Sequence, residues 1–170
     1  SADRLVFDLD PGPETGWKDV VAAALDVRDR LKGIKLKCFL KTSGGKGLHV
    51  VLPIAPTPWE RAKTFAKTVA EAMEADQPDR YVATATKAKR NKRIFIDYLR
   101  NSREATAVAP YSTRARPGAA VSVPIDWSEL SGLKSASQYT VQNLIQRMSR
   151  LRKDPWANIG REKQQLPKFR

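Results

Sequence analysis

Cysteine and histidine are almost absent from this sequence of 170 residues: there is one of each, Cys38 and His49. A single cysteine excludes an internal disulfide framework and fits a reducing cytosol. One Cys and one His also leave no ligand set for a structural zinc site. Long apolar runs are missing too, as is the basic-apolar-small order of a secretory signal, so no membrane role and a cytoplasmic location are expected. Negative charge is the remaining shortage. Eighteen Asp and Glu stand against 31 Lys and Arg, giving a net charge of +13 and a pI near 10.1. Such an imbalance points to a polyanionic partner, with nucleic acid the first candidate. A basic surface without a partner is the plain alternative, but the cations are clustered. Five fall within Lys87–Arg93 (Lys87, Lys89, Arg90, Lys92, Arg93) and four within Arg147–Lys153. A nuclear-localisation tract would resemble the first cluster, yet this one runs straight into a strand-like segment and reads as part of a folded, nucleic-acid-binding site.

What the chain does have begins at Arg4-Leu-Val-Phe-Asp-Leu-Asp10, a strand stopped by Pro11-Gly12-Pro13. Alternation puts Leu5, Phe7 and Leu9 on one face and Val6, Asp8 and Asp10 on the other, with the two acids about 7 Å apart at Cα. Gly16–Leu31 reads as an amphipathic helix, with Val20, Val21, Ala24, Leu25, Val27 and Leu31 as its stripe. Lys35–Lys41 reads as a half-buried strand, Leu36, Cys38 and Leu40 on one face and lysines largely on the other. Ser43-Gly-Gly-Lys-Gly47 is a tight connection to the strand Leu48–Leu52, and Trp59–Ala75 is a second amphipathic helix. Ile94–Leu99 is a further strand.

Strand, helix, strand, strand, helix, strand is the α+β plan of RRM and ferredoxin-like domains, an antiparallel sheet with both helices on one side. Its first strand is central. The strand parities agree with this plan. Leu5, Phe7, Leu9, Leu48, Val50, Leu52, Ile94, Ile96 and Tyr98 fall under the helices, while Asp8, Asp10, His49, Arg93 and Asp97 share the open face with exposed Val6, Val51 and Phe95. Residues 1–135 are expected to form this core with its following loops. Within them Asn101–Pro124 shows little periodicity, Val121–Val123 reads as a short edge strand, and Asp126–Gly132 as a short helix or turn anchored by Trp127. Residues 136–170 form a C-terminal helix and a basic tail. The helix, Ser137–Leu151, has Val141, Leu144, Ile145 and Met148 as its apolar stripe, and the tail is expected to pack loosely or trail off.

Three carboxylates on adjacent strands suit a pair of hard divalent cations, Mg²⁺ or Mn²⁺, arranged for phosphoryl or nucleotidyl transfer. An Asp97 paired with Arg93 or Arg100 is the structural alternative. Beside the acids, His49 reads as a phosphate contact. The glycine loop lacks P-loop spacing, but its backbone N–H groups, with Ser43 and Lys46, can approach a triphosphate.

Phe7-Asp-Leu-Asp-Pro-Gly12, Thr42-Ser-Gly-Gly-Lys-Gly-Leu-His49 and Ile94-Phe-Ile-Asp-Tyr-Leu-Arg-Asn101 closely resemble three motifs of one family. It is the primase-polymerase domain of bacterial ATP-dependent DNA ligase D, within the archaeo-eukaryotic primase superfamily. Ala109–Gly118 and Asp154-Pro-Trp156 resemble it as well. The resemblance implies catalytic metals, Mn²⁺ or Mg²⁺, on Asp8, Asp10 and Asp97, and triphosphate contacts from Ser43 and His49. It also carries over Arg90, Arg100 and Arg114 as nucleotide or active-site contacts. The implied activity is extension of 3′ ends and gap filling on DNA in non-homologous end joining, from nucleoside triphosphates and with a preference for ribonucleotides. Implied partners are ligase and nuclease domains of one longer protein and an end-binding protein such as Ku, near the bacterial nucleoid. The family carries a further α/β lobe before the Asp-x-Asp strand, with the pocket for the 5′-phosphate. Here that lobe is expected on another chain, removed, or absent from a reduced core. Two other classes fit an RRM-like sheet: a non-catalytic nucleic-acid binder, which would show stacking aromatics where this face shows acids, and a nucleotide cyclase-type palm.

Overall fold

The computed structural model of the chain describes residues 1–84, 86, 89–101, 109–113 and 120–169. Alternation at the start of the chain produces β1, Ala2–Pro11, whose Leu5, Phe7 and Leu9 are wholly buried. Each such side chain contributes about 1.5–3 kcal/mol through burial. Pro11 and Pro13 end the strand, and α1, Trp17–Gly33, begins after Gly16, whose N–H donates to Asp19 Oδ2 at 2.9 Å. Next come β2 (Phe39–Thr42), β3 (Leu48–Thr57) and α2 (Trp59–Asp76). After them lie β4 (Tyr81–Val82), β5 (Ile94–Asp97), β6 (Pro124–Ile125) and α3 (Val141–Arg150).

The six strands lie in the order β4-β5-β1-β3-β2-β6. Its inner four, β5-β1-β3-β2, are the expected RRM-like arrangement with β1 central, and their pairings are antiparallel. The buried stripes of α1 (Val20, Ala24, Val27, Leu31) and α2 (Phe65, Ala66, Val69, Met73) share one core with Leu5, Phe7 and Leu9. Both helices therefore cover one side of the sheet, leaving the acid-bearing side to other elements.

Several local expectations are corrected. The strand expected over Lys35–Lys41 is ordered as a strand only from Phe39, although Leu36, Cys38 and Leu40 do enter the core. The edge strand is Pro124–Ile125, antiparallel to β2, with Val121 making only an isolated bridge to Thr113. The two-residue β4, parallel to β5, carries no periodic signal. The apolar stripe of α3 is turned outward: Val141 is 51% exposed, Ile145 78% and Met148 53%. What this helix buries is Arg147, bonded to Glu129, the Tyr139 hydroxyl and the Pro124 carbonyl. The tail neither trails nor packs loosely. Trp156 Nε1 donates to the Leu40 carbonyl at 2.9 Å, and Trp156 and Ile159 form a second small core with Phe39, Val51 and Val6. Gln164 hydrogen-bonds the backbone at Lys37 and Pro53. Consequently Val51 is 2% exposed rather than bare. Phe95 is buried as well, beneath the Arg90 guanidinium at 4.0 Å from its ring centre. The turn at Trp127–Gly132 is as expected, capped by Asp126 and anchored by Trp127 Nε1 on the Cys38 carbonyl.

Candidate active site

Strand register builds the site. Asp97 on β5 lies opposite Asp8 on β1, Asp8 lies opposite His49 on β3, and His49 lies opposite Lys41 on β2. Directly paired residues point to the same face, about 4.5–5.5 Å apart at Cβ. These four polar side chains thus form one row across four strands, and all are buried: 9%, 5%, 3% and 3% exposed in that order. Asp10 is the next outward-facing residue of β1, opposite Phe95. Carboxylate oxygens of Asp8, Asp10 and Asp97 all lie within 4.8 Å of one another.

The surroundings hold these acids without neutralising them. His49 Nε2 is 3.2 Å from Asp8 Oδ1 as an ion-pair contact; that Oδ1 and, on the other side of the ring, His49 Nδ1 are buried without a hydrogen-bond partner. Arg100 Nε lies 3.7 Å from Asp8 Oδ2 and 3.5 Å from Asp97 Oδ2. Asp97 Oδ1 accepts the Leu99 N–H at 2.9 Å. At the end of the short helical turn Leu99–Asn101, the Asn101 side chain accepts the Val6 N–H at 2.8 Å and donates back to the Val6 carbonyl at 2.9 Å. That amide continues the β5–β1 ladder past the end of β5 and fixes the backbone two residues from Asp8.

Glycine is required where the loops close on this face. A Cβ on Gly47 would lie 2.1 Å from the Leu9 carbonyl and 3.1 Å from Asp10 Oδ1, so the 43–47 loop rests directly against the second acid. At Gly12 a Cβ would meet the Arg90 and Arg93 carbonyls, which brings the basic segment onto the end of β1. Ser43 Oγ accepts N–H groups from Gly45 and Gly47, at 3.0 and 3.2 Å, and keeps its own hydrogen to donate.

Protonation reflects crowding of like charge. Burial, then the Asp8 carboxylate, raises Asp10 to about 7. Burial also raises Asp97, against the Leu99 N–H and Arg100. For Asp8 burial is outweighed by the neighbouring His49, and its carboxyl falls below the usual range. An all-oxygen donor set, a buried carboxylate oxygen without a partner and a carboxyl whose pKa is raised by burial and by the Asp8 charge together fit hard divalent cations. A cleft of about 350 Å³ beside Trp127 and Arg150 shares no residue with this row.

A profile of the family described as LigD, primase-polymerase domain, matches residues 1–156. The chain belongs to that family. It is 41% identical over 166 residues to the multifunctional non-homologous end joining protein LigD of Pseudomonas aeruginosa, a match covering 96% of this chain and 20% of that protein. The corresponding protein of Mycobacterium tuberculosis is 38% identical over 150 residues, covering 88% of this chain and 20% of its own length. Among solved structures, the polymerase domain of Mycobacterium tuberculosis ligase D in complex with DNA superposes with a TM-score of 0.87 at 35% identity. That likeness covers 95% of this chain and 56% of that one. The chain thus spans about a fifth of its curated relatives.

Of the residues the family motifs pointed to, the structure brings Asp8, Asp10, Asp97, His49 and Arg100 together, with the Ser43 loop at their edge. Arg90 stacks on Phe95, across from Asp10. Lys46 and Lys89 are exposed, Lys92 is exposed with its Nζ 3.6 Å from Glu14, and Arg93 is half-buried. Lys87 and Arg114 lie outside the described residues. Two residues escaped sequence reasoning. Asn101 closes the ladder onto β1, which no periodicity announces. Lys41 falls by parity among the lysines of its strand's polar side, yet it pairs with His49 and is buried; burial draws its pKa down to about 8. Its two-residue offset from Ser43 was the available signal.

Proposed function

We propose that this domain is a nucleotidyl transferase that extends the 3′ end of a DNA strand from nucleoside triphosphates, in the repair of broken ends by non-homologous end joining. The observation that carries the reading is the carboxylate triad of Asp8, Asp10 and Asp97, gathered on the open face of an RRM-like sheet with His49 in the same row. Membership of the LigD primase-polymerase family and the DNA complex of the similar mycobacterial domain support it. Mn²⁺ or Mg²⁺ held by the triad would lower the pKa of the attacking 3′-hydroxyl and neutralise charge on the departing pyrophosphate. The chain's own residues do the rest. Asp8, Asp10 and Asp97 fix the positions at which cations and reacting oxygens meet, and Arg100 holds two of these acids in place. Ser43, Lys46, His49 and the N–H groups of the glycine loop take the triphosphate. Lys89, Lys92 and Arg93 follow the nucleic-acid backbone. Ligase and nuclease modules and an end-binding protein such as Ku complete the reaction in this reading, which places it at the bacterial nucleoid, and ribonucleotides are the preferred substrate.

The test is primer extension on gapped DNA bearing a 5′-phosphate, with Mn²⁺ and either ribo- or deoxyribonucleotides. The wild-type chain extends the primer, and Asp8→Ala abolishes extension while its circular dichroism spectrum stays unchanged. Full extension by that variant would overturn the metal assignment. Cyclic nucleotide formed without a primer would favour the cyclase palm instead. An RRM-like binder has no observation in its favour, since the one central aromatic of the open face, Phe95, is covered by Arg90.

A further inference from the structure

Two cationic side chains are buried among the described residues, Arg147 and Lys41, and they are held in opposite ways. Arg147 is paired through both of its terminal nitrogens. It meets both carboxylate oxygens of Glu129, the Tyr139 hydroxyl and the Pro124 carbonyl, as a cation buried for architecture should be. Lys41, 3% exposed, forms no ion pair or hydrogen bond with any described residue. Its ammonium is largely withdrawn from water and feels only the more distant Asp8 carboxylate, beyond His49, and lysine is almost never fully buried unless paired. Such a residue persists where a ligand supplies a closer anion.

Its position indicates which ligand. Lys41 stands directly across from His49, whose Nδ1 is also buried without a partner, and His49 stands across from Asp8. Two residues on, Ser43 begins the loop that rests against Asp10 through Gly47. Lys41 thus lies at the end of the polar row farthest from Asp97 and beside the loop that faces phosphate in the reading above. The bulk of the triad's negative charge is at the other end of the row, where Arg100 already meets it.

We propose that Lys41 is a further anion-binding residue of this site, its ammonium taking the terminal phosphates of the nucleoside triphosphate beside His49. The proposal rests on the nucleotidyl-transfer reading and deepens it. A lysine buried unpaired for this purpose lowers stability in the free protein and raises affinity for the substrate. Its removal must therefore move those two properties in opposite directions, which a structural lysine would not do.

The experiment compares wild type, Lys41→Met and Lys41→Arg for equilibrium binding of ATP and of AMP with Mn²⁺, alongside thermal melting. Wild type binds ATP. Lys41→Met is expected to bind ATP roughly tenfold to a hundredfold more weakly, the range of one charge-assisted contact. Its affinity for AMP is unchanged and its melting temperature is equal to or above wild type. Lys41→Arg, which keeps the charge, recovers part of the ATP affinity. Unchanged ATP binding by Lys41→Met overturns the proposal and leaves the nucleotidyl-transfer reading standing. So does an equal loss for ATP and AMP, or a fall in Mn²⁺ affinity alone, which would assign Lys41 to the carboxylates. A wild-type protein that binds no ATP overturns both.

Discussion

Asp10 is where the crowding of carboxylates is most measurable. Its folded pKa is raised from 3.8 to about 7, first by burial and then by Asp8. For an acid raised in this way the folded state holds the proton more tightly. The associated stability is complete below about pH 3.8 and is lost as pH rises through about 7. The metal-free protein should therefore lose melting temperature from pH 5 to pH 8, and Asp10→Asn should flatten that part of the profile. Mn²⁺ should restore the wild-type melting temperature at pH 8. An unchanged profile in Asp10→Asn, measured by thermal melts in chelator, would contradict this account. Cys38 supplies an independent check on the core. Burial lifts its thiol to about 12, so a thiol reagent at pH 8 should leave it unmodified in the folded protein and react rapidly after denaturation.

The elements most exposed to substitution are those that close the open face and the β6 edge. Trp156 fills the second core and donates to the Leu40 carbonyl. Trp156→Ala should cost about 3–5 kcal/mol in a denaturant titration, as large aromatic truncations do. Arg147 ties α3 to the Trp127 turn and to β6. Arg147→Ala leaves Glu129 unpaired and should cost about 3 kcal/mol or more, with Arg147→Met less damaging.

These same elements mark where the sequence was legible. β1, α1, β3 and α2 follow from period 2 and period 3.6 because each buries one face against the same core. Parity alone also gathered Asp8, Asp10, His49 and Asp97. α3 misled because periodicity reports that a helix is two-sided, not which side is buried, and here a paired arginine took the inner side. Lys41 is a related case: parity reports which face a side chain takes, not whether that face meets water. The short strands β4 and β6 and the covering tail depend on long-range hydrogen bonds such as Trp156 to Leu40 and Gln164 to Pro53, which leave no local pattern.

At the scale of the whole molecule the excess of positive charge governs association. Affinity for gapped DNA should fall steeply with salt through counterion release. Lys89→Gln should lower the slope of log affinity against log salt by about 1, without changing preference between sequences, as measured by a salt titration of binding. In the proposed reaction the sheet sets the chemistry to which this charge brings DNA. In that proposed reaction Asp8, Asp10 and Asp97 act together as the seat of two divalent cations. Counting bound Mn²⁺ by electron paramagnetic resonance, with ATP present, tests that claim most directly. About two ions per wild-type chain, with loss of binding in Asp97→Ala that keeps its fold, is the predicted result. Equal Mn²⁺ binding by the wild type and by Asp97→Ala would contradict it.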